Sequence, residues 1–505
     1  MGLFKKKAAQ VQTSMSSNIM FNTIYNVLVL LIPLITIPYV SRSLTSSGVG
    51  SFSYASSLVT YFAAFAQFGF TEYGSYLLAK HRNDRAKTSE LFYELFAVRI
   101  TITCFVLAIY LGLVNSNFLY SSDFELNDRR VFNALSLFIV GGCLEINFLY
   151  MGLENFKTIS IRSIIVRILN FVAIIVFIKG PNDYFKYVLI MSLSSAASGL
   201  SMFVFIHKYL NRPHFHKFNP MRHVAGCLPF LIPYLATIFL PLVSKTVLGS
   251  MLGNANASGD YEVADKLLNV VYSIVSASSA VALSRMSFLY AQKDYKEINA
   301  KVKETLQFYS ILALPCFFGL MGINKYFIPG FFGEDYIGAV NILYILGPKI
   351  LLSPFYAILG SVYYVPKGKT WLRSIFLVAG LLINLGLSIV FTKLFSQTGA
   401  ALASTLTELV LVILFVGFAG KQINYKGAAS TFVKALDASL IMFVAIFGIG
   451  KLLEGRFGNL VLFLILLVLG GLIYAICMML FREETVNKLM KRFKNTLFPK
   501  KKGKS

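Results

Sequence analysis

Long apolar runs separated by short polar turns occupy nearly the whole chain of 505 residues. A transmembrane helix needs about 20 mostly apolar residues, and fourteen stretches of the sequence meet this length. The runs are continuously apolar, which is typical of membrane helices, whereas barrel strands alternate over about ten residues. The predicted spans are Ile19–Ser41, Ser51–Leu78, Leu91–Val114, Val131–Met151, Ile159–Ile178, Tyr184–Ile206, Val224–Met251, Val263–Leu289, Leu306–Ile328, Ile337–Val365, Trp371–Phe391, Thr398–Phe418, Phe432–Ile449 and Leu460–Leu480.

The composition supports a protein embedded in a membrane. Hydrophobic residues make up 56% of the chain and charged residues only 14%, whereas soluble proteins carry about 25% charged residues. The connections between predicted spans are short, and the longest is residues 207–223. Because no extramembrane catalytic domain fits in such loops, the sequence disfavours a membrane enzyme or polymerase and favours transport.

No motif indicates cofactor chemistry. The chain has no phosphate-binding P-loop and no metal-ligand or catalytic-triad spacing. Its five cysteines all lie inside apolar runs, which indicates packing and not a disulfide framework. We therefore expect no enzyme activity, no cofactor and no bound metal.

The basic residues define a sidedness for the predicted spans. The chain holds 47 Lys and Arg against 23 Asp and Glu, a net charge of +24. If the N-terminus is cytoplasmic, most of these cations fall in cytoplasmic loops and in the C-terminal tail, as the positive-inside rule requires. The excess charge is then a signal of topology, and we expect no nucleic-acid partner. Both termini are predicted to be cytoplasmic.

The sequence contains a weak internal repeat. Three segments recur in the same order, at similar offsets and at equivalent places six spans later. Because six is even, both copies have the same orientation, as in parallel-repeat transporters. The pairs are Pro38 to Arg42 with Pro241 to Lys245, Ala86 to Glu90 with Ala300 to Glu304, and Arg162 to Ile164 with Arg373 to Ile375.

These observations predict an all-α polytopic membrane protein of about 14 transmembrane helices. Two six-helix lobes are related by the parallel pseudo-repeat, and two further helices follow at the C-terminus. The predicted segments are a cytoplasmic N-terminal segment (1–18), an N-lobe with spans one to six (19–206), a cytoplasmic linker (207–223), a C-lobe with spans seven to twelve (224–418), spans thirteen and fourteen (432–480), and a basic cytoplasmic tail (481–505).

Charged residues inside the spans are the candidate site. Each costs about 2.5 to 3.5 kcal/mol at the centre of a membrane helix, so pairing or a water-filled cavity must offset the cost. A cationic cavity would favour an anionic substrate. The alternative for residues near span ends is that they extend to the membrane surface. Predicted cavity cations are Arg42, Arg99, Arg167, Lys245, Lys266 and Lys349; Glu72, Glu145, Asp265 and Glu408 are predicted to couple an ion or to pair with these cations.

Six short segments carry motifs that recur together in a known family: Arg42 to Leu44, Gly48 to Ala55, Glu145 to Glu154, Ser244 to Gly249, Gly259 to Lys266 and Phe331 to Glu334. On these motifs the chain resembles, from about Ser17 to Phe481, the multidrug/oligosaccharidyl-lipid/polysaccharide exporters, and within them the Wzx-type polysaccharide repeat-unit flippases. In two places the chain departs from the family pattern: Glu145 stands where the family often has Asp, and Ser244 stands where it often has an acid, which leaves Lys245 without an adjacent carboxylate.

The resemblance implies two lobes that move an undecaprenyl-diphosphate-linked oligosaccharide from the cytoplasmic to the outer leaflet of a bacterial plasma membrane by alternating access. Capsule, O-antigen or exopolysaccharide assembly would use such a step. It also implies membrane lipids, polysaccharide assembly proteins, and H+ or Na+ as a coupling ion among the partners. Two alternatives stay open: a flippase for lipid II or a teichoic-acid precursor, and a cation-coupled multidrug exporter.

Overall fold

A computed structural model describes residues 2–116, 118–119, 126–211, 218–420, 423 and 425–483. The predicted tail from residue 484 and the linker residues 212–217 lie outside this part of the chain. Within it the long elements are all α-helices. They are α1 (Gly2–Gln67), α2 (Phe70–Lys80), α3 (Arg85–Asn115), α4 (Arg129–Leu144), α5 (Asn147–Gly152), α6 (Phe156–Phe177), α7 (Tyr184–Ser201), α8 (Arg222–Leu252), α9 (Ala255–Gln292), α10 (Tyr295–Phe332), α11 (Gly338–Leu346), α12 (Lys349–Leu359), α13 (Thr370–Ala419), α14 (Lys426–Leu453) and α15 (Asn459–Leu480).

The all-helical, polytopic architecture predicted from the sequence is confirmed. Every predicted span falls largely on helix. Among the described residues, ten helical stretches are long and apolar enough to cross a membrane, and one of them, Thr370–Ala419, contains two of the predicted spans.

Two predicted turns between spans are reduced to single-residue breaks. α1 contains span one and the first part of span two, and it is non-helical inside only at Thr45, with φ 62° and ψ 174°. α13 runs through spans eleven and twelve and is non-helical inside only at Ser396, with φ 54° and ψ −134°. Neither residue is glycine, and a positive φ costs such residues about 1–3 kcal/mol, which the surrounding packing must offset.

Three spans are broken where the sequence predicts continuous helix. Span two passes from α1 to α2 through Phe68 and Gly69, which both have positive φ. Span four ends as α4 at Leu144 and resumes as α5 at Asn147. Span ten is split into α11 and α12. The breaks in spans four and ten each place a charged residue at a helix end inside an apolar run, Glu145 in span four and Lys349 in span ten.

The chain divides into two compact units. The first is Met1–Glu262 with Ser388–Gln397, and the second is Val263–Leu387 with Thr398–Ser505. The divisions fall inside α9 and α13, so α8 and the first two turns of α9 belong to the first unit. The predicted lobe boundaries at residues 206 and 224 describe the repeat and stay a prediction.

Within the first unit, α1 and α9 meet backbone to backbone. A Cβ on Gly50 would lie 1.8 Å from the carbonyl oxygen of Ala255, and one on Gly259 would lie 2.1 Å from the carbonyl oxygen of Ser46. Glycine is required at both positions because any side chain would displace the facing main chain. On each helix, the residues that form this α1–α9 contact are spaced i, i+4, i+7, and residues with this spacing lie on one helix face. The sets are Ser46, Gly50 and Ser53 on α1, and Ala255, Gly259 and Glu262 on α9.

Candidate binding site

Lys245 is held by a carboxylate that the sequence analysis did not pair with it. Its Nζ lies 2.8 Å from Oε2 of Glu262. The same oxygen accepts a hydrogen bond of 2.6 Å from Oγ of Ser53. The Lys245 and Glu262 side chains are only 13% and 10% exposed, so the pair is largely shielded from water and weakly screened. A cation of α8 and a hydroxyl of α1 thus share one carboxylate oxygen of α9.

The short turn between α8 and α9 explains why these two residues meet. Lys245 lies seven residues before the end of α8 at Leu252, and Glu262 lies seven residues after the start of α9 at Ala255. Gly253, with φ 57°, ends α8 in the left-handed conformation that glycine adopts readily. Two helices that reverse direction over two residues bring positions at equal distances from the turn side by side.

The structure explains how Lys245 is paired although Ser244 replaces the acid often found beside it. Ser244, which stands where an acid is often found, is buried and its Oγ lies 3.0 Å from Oγ of Ser388. The carboxylate for Lys245 comes instead from the next helix. Sequence analysis missed Glu262 because the apolar run of span eight begins at Val263, whereas α9 begins eight residues earlier at Ala255.

Arg99 is the most deeply enclosed of the predicted cations. It is fully buried on α3 and donates a hydrogen bond to the carbonyl oxygen of Gly142, close to the break between α4 and α5. Its guanidinium carbon lies 5.8 Å from the centre of the Phe148 ring. Among the described residues, no hydrogen-bond partner contacts its Nε and Nη1 atoms. The guanidinium therefore places positive charge at the C-terminal end of α4, where carbonyl groups lack helical partners.

The other predicted residues of the first unit are more accessible. Arg42 and Glu72 are exposed, and Arg167 is half-buried on α6. Glu145, at the break between α4 and α5, accepts a hydrogen bond of 2.6 Å from Nδ2 of Asn147. The structure does not bring all the predicted residues of this unit into one cluster, and their roles in substrate binding stay predictions.

The second unit contains a separate cluster of buried charges. Lys349, at the start of α12, lies with its Nζ 3.6 Å from Oδ1 of Asp265 and donates a hydrogen bond of 3.0 Å to Oγ of Ser404. Asp265 also accepts a hydrogen bond from Asn269. Glu408 lies near Lys349 and is only 8% exposed. Its Oε2 atom has no hydrogen-bond partner within the described part of the chain.

Sequence analysis also missed a buried polar network at the start of α8. Glu94 on α3 is fully buried and accepts hydrogen bonds from Arg222 and from the main-chain amide of Asn219. His223 is 2% exposed and lies 2.8 Å from Glu94 and 3.1 Å from the hydroxyl of Tyr73. His223 is the last residue of the predicted connection 207–223, so the apolar run of span seven did not include it.

Comparison with known families decides the group to which this chain belongs. The family model described as polysaccharide biosynthesis protein matches residues 15–287, more than half of the chain. The chain belongs to the polysaccharide biosynthesis protein family. The matched region includes Ser53, Lys245 and Glu262, so the α1–α9 contact and its carboxylate lie within the part of the chain that defines membership.

Curated relatives of this family member are distant but extensive. The chain is 22% identical over 399 residues to a protein of Escherichia coli (strain K12) named as an O-antigen transporter. The alignment covers 77% of this chain and 92% of the relative. A protein of Haloferax volcanii named as a low-salt glycan biosynthesis flippase is 22% identical over 244 residues, 48% of this chain and 51% of the relative.

Solved structures support the fold of this family member. The lipid II flippase MurJ in an inward closed conformation aligns with a TM-score of 0.73 at 15% identity, over 92% of this chain and 99% of that one. An inward-facing multidrug resistance MATE family transporter of the MOP superfamily aligns with a TM-score of 0.57 at 13% identity, over 84% of this chain and 98% of that one. The architecture is that of a multi-pass membrane transporter, and the relatives are transporters and not enzymes.

Proposed function

We propose that this protein is a flippase for an undecaprenyl-diphosphate-linked oligosaccharide repeat unit. It would move this lipid from the cytoplasmic to the outer leaflet of a bacterial plasma membrane by alternating access, for capsule, O-antigen or exopolysaccharide assembly. Family membership and the names of the O-antigen transporter and glycan flippase relatives support this proposal.

The observation that carries the proposal is the ion pair of Lys245 and Glu262. A diphosphate head group that leaves water must find replacement partners, because an unpaired buried anion is very costly. A lysine already held in a largely water-free position can supply a charge-assisted hydrogen bond to that head group. Arg42 is the repeat-related cation of the first copy, and within the first unit Arg99 and Arg167 are further candidate cations. Lys266 and Lys349 are the candidate cations of the second unit.

Energy for directional transport would come from a cation gradient. The second unit offers the candidate site, where Asp265 and Glu408 flank Lys349. Lys349, Ser353 and Tyr356 offset part of the cost of burying the Glu408 carboxylate, but its Oε2 atom has no hydrogen-bond partner among the described residues. In this proposal Glu408 is therefore where H+ or Na+ would be taken up. In this proposal Glu72 and Glu145 are secondary candidates.

A vesicle assay tests the function. The purified protein is reconstituted into phosphatidylethanolamine–phosphatidylglycerol vesicles that carry a fluorescent undecaprenyl-diphosphate disaccharide in both leaflets. Dithionite added outside should bleach nearly all the fluorescence when the protein is present, but only the outer-leaflet fraction in protein-free vesicles. Bleaching equal to that of protein-free vesicles would contradict a flippase for this lipid class.

The same vesicles separate the two alternatives. A lipid II or teichoic-acid precursor flippase would move its own precursor faster than the disaccharide repeat unit when the two compete. A multidrug exporter would leave the lipid in place and transport ethidium when an ion gradient is applied.

A further inference from the structure

Glu262 occupies a position where binding of an anion would change the contact between two helices. Its Oε2 atom binds Lys245 and Ser53 at 2.8 Å and 2.6 Å. Lys245 belongs to α8 and Ser53 belongs to α1. Loss of the bond to Lys245 therefore acts directly on the bond to Ser53, because both bonds are made to the same oxygen atom.

The hydrogen bond from Ser53 lies at the end of the α1–α9 contact. That contact consists mainly of facing main chains, with Gly50 against Ala255 and Gly259 against Ser46. One further hydrogen bond, 3.0 Å from Oγ of Ser46 to the carbonyl oxygen of Asn256, is neutral. Charge-assisted hydrogen bonds are about twice as strong as neutral ones. The bond from Ser53 to Glu262 is thus expected to be stronger than the bond from Ser46 to Asn256.

A diphosphate would compete with Glu262 for the ammonium group of Lys245. A diphosphate carries more negative charge than one carboxylate and offers several acceptor oxygens, so it competes effectively for the ammonium group. A carboxylate that loses its cation in a shielded position is destabilised there. Glu262 would then move toward water or take up a proton, and either change weakens its hydrogen bond with Ser53.

We propose that Glu262 is a positioning residue that the substrate displaces. The inference rests on the proposed function: without substrate, Glu262 holds Lys245 and keeps α1 tied to α9 through Ser53. When the diphosphate of the lipid binds Lys245, Glu262 is released and the α1–α9 contact loosens. Opening at this contact thereby requires the anionic cargo, and an empty transporter stays closed there.

Ser258 provides a reporter for this contact. It directly precedes Gly259 on α9 and is 5% exposed. In a background with the five native cysteines replaced by alanine, Ser258→Cys should react slowly with a maleimide in nanodiscs. Asn254→Cys, at an exposed position just before α9, serves as the control that reacts rapidly in every condition.

Removal of either partner should open the contact without substrate. Glu262→Gln and Ser53→Ala should each raise the reaction rate of Ser258→Cys roughly tenfold, the size expected for loss of one hydrogen bond to a charged group. Asp335→Asn removes an exposed carboxylate elsewhere and should leave the rate unchanged. A rate in Glu262→Gln equal to that of the parent would overturn the proposal.

Farnesyl diphosphate tests the displacement, with farnesol as the uncharged control. The diphosphate should raise the Ser258→Cys rate in the protein with Lys245 and Glu262 intact, and the double variant Lys245→Met, Glu262→Gln should give no such response. If farnesyl diphosphate raises the Tm of the intact protein but not of the double variant, and yet leaves the Ser258→Cys rate of the intact protein unchanged, the binding site stands and the displacement is wrong. If it has no effect on Tm at all, the diphosphate substrate class and the displacement both fail.

Discussion

Gly50 of α1 and Gly259 of α9 face each other backbone to backbone, so closely that a Cβ on Gly50 would lie 2.6 Å from the amide nitrogen of Gly259. The approach is reciprocal, because each glycine also lies against a carbonyl oxygen of the other helix. Two glycines thus build one contact from main chain.

Gly50→Ala should destabilise the protein. The added methyl would lie 1.8 Å from the carbonyl oxygen of Ala255, and main chain cannot turn aside as a flexible side chain can. Overpacking of this kind costs about 1–3 kcal/mol. We expect a lower Tm and less protein in the membrane. Gly112→Ala on α3 is the matched control, because a Cβ there would meet no atom within 4 Å; equal Tm values for the two variants would contradict the close approach.

Lys245 variants should separate a structural role from substrate binding. Lys245→Ala leaves Glu262 largely buried without its cation, which costs about 3–5 kcal/mol, so we expect a loss of both protein and surface glycan. The double variant Lys245→Met, Glu262→Gln removes both charges and should restore protein level but not glycan export. Lys245→Arg should retain more export than Lys245→Ala because the charge survives with altered geometry.

The measurements for Lys245 are immunoblots of membranes and staining of surface glycan in a strain that depends on this protein. Normal export by the well-expressed double variant would argue against an anionic substrate at Lys245 and would favour a drug exporter.

Arg99→Lys should lower stability more than transport. The lysine keeps the charge but loses the planar group that reaches Gly142 and lies beside Phe148. Loss of a hydrogen bond from a charged group costs about 1.5–3 kcal/mol. We expect a reduced Tm with an unchanged transport rate per folded molecule. An unchanged Tm with lost transport would instead support Arg99 as a substrate-binding cation.

Cysteine labelling in whole cells should establish sidedness. Asn182 and Asn256 are exposed in the structure and lie in turns predicted to be external, whereas Asn299 is exposed in a region predicted to be cytoplasmic. Single cysteines at positions 182 and 256 should react with an impermeant reagent in intact cells, and one at position 299 should react only after lysis. Reaction at position 299 from outside would reverse the topology.

The sequence was sufficient for the spans but not for their interruptions. A hydropathy window measures composition, and the breaks at Glu145 and Lys349 change hydrogen bonding without changing composition. The window also placed the start of span eight at Val263, because the first two turns of α9 include polar residues that lower its apolar content. Glu262 lies in those turns, so the prediction did not include it among the residues of the span or as a partner of Lys245.

The sequence identified buried charge as the unusual feature but could not assign its pairs. Pairing depends on which helix faces meet, and that depends on close approach at residues such as Gly50. Arg99 illustrates the limit: its position within an apolar run was evident, but its contact with a carbonyl exposed by a helix break required the break to be known.

The α1–α9 contact also bears on how such a protein acquires new cargo. Because it is built mainly from main chain and very small residues, its close approach depends on few side chains, among them Ser53 and Glu262. Asn256 is exposed beside it and joins it only through its main-chain carbonyl, which a substitution leaves in place. Under the proposed function, selection for a different glycan can therefore act on exposed positions around the contact while Gly50 and Gly259 are kept.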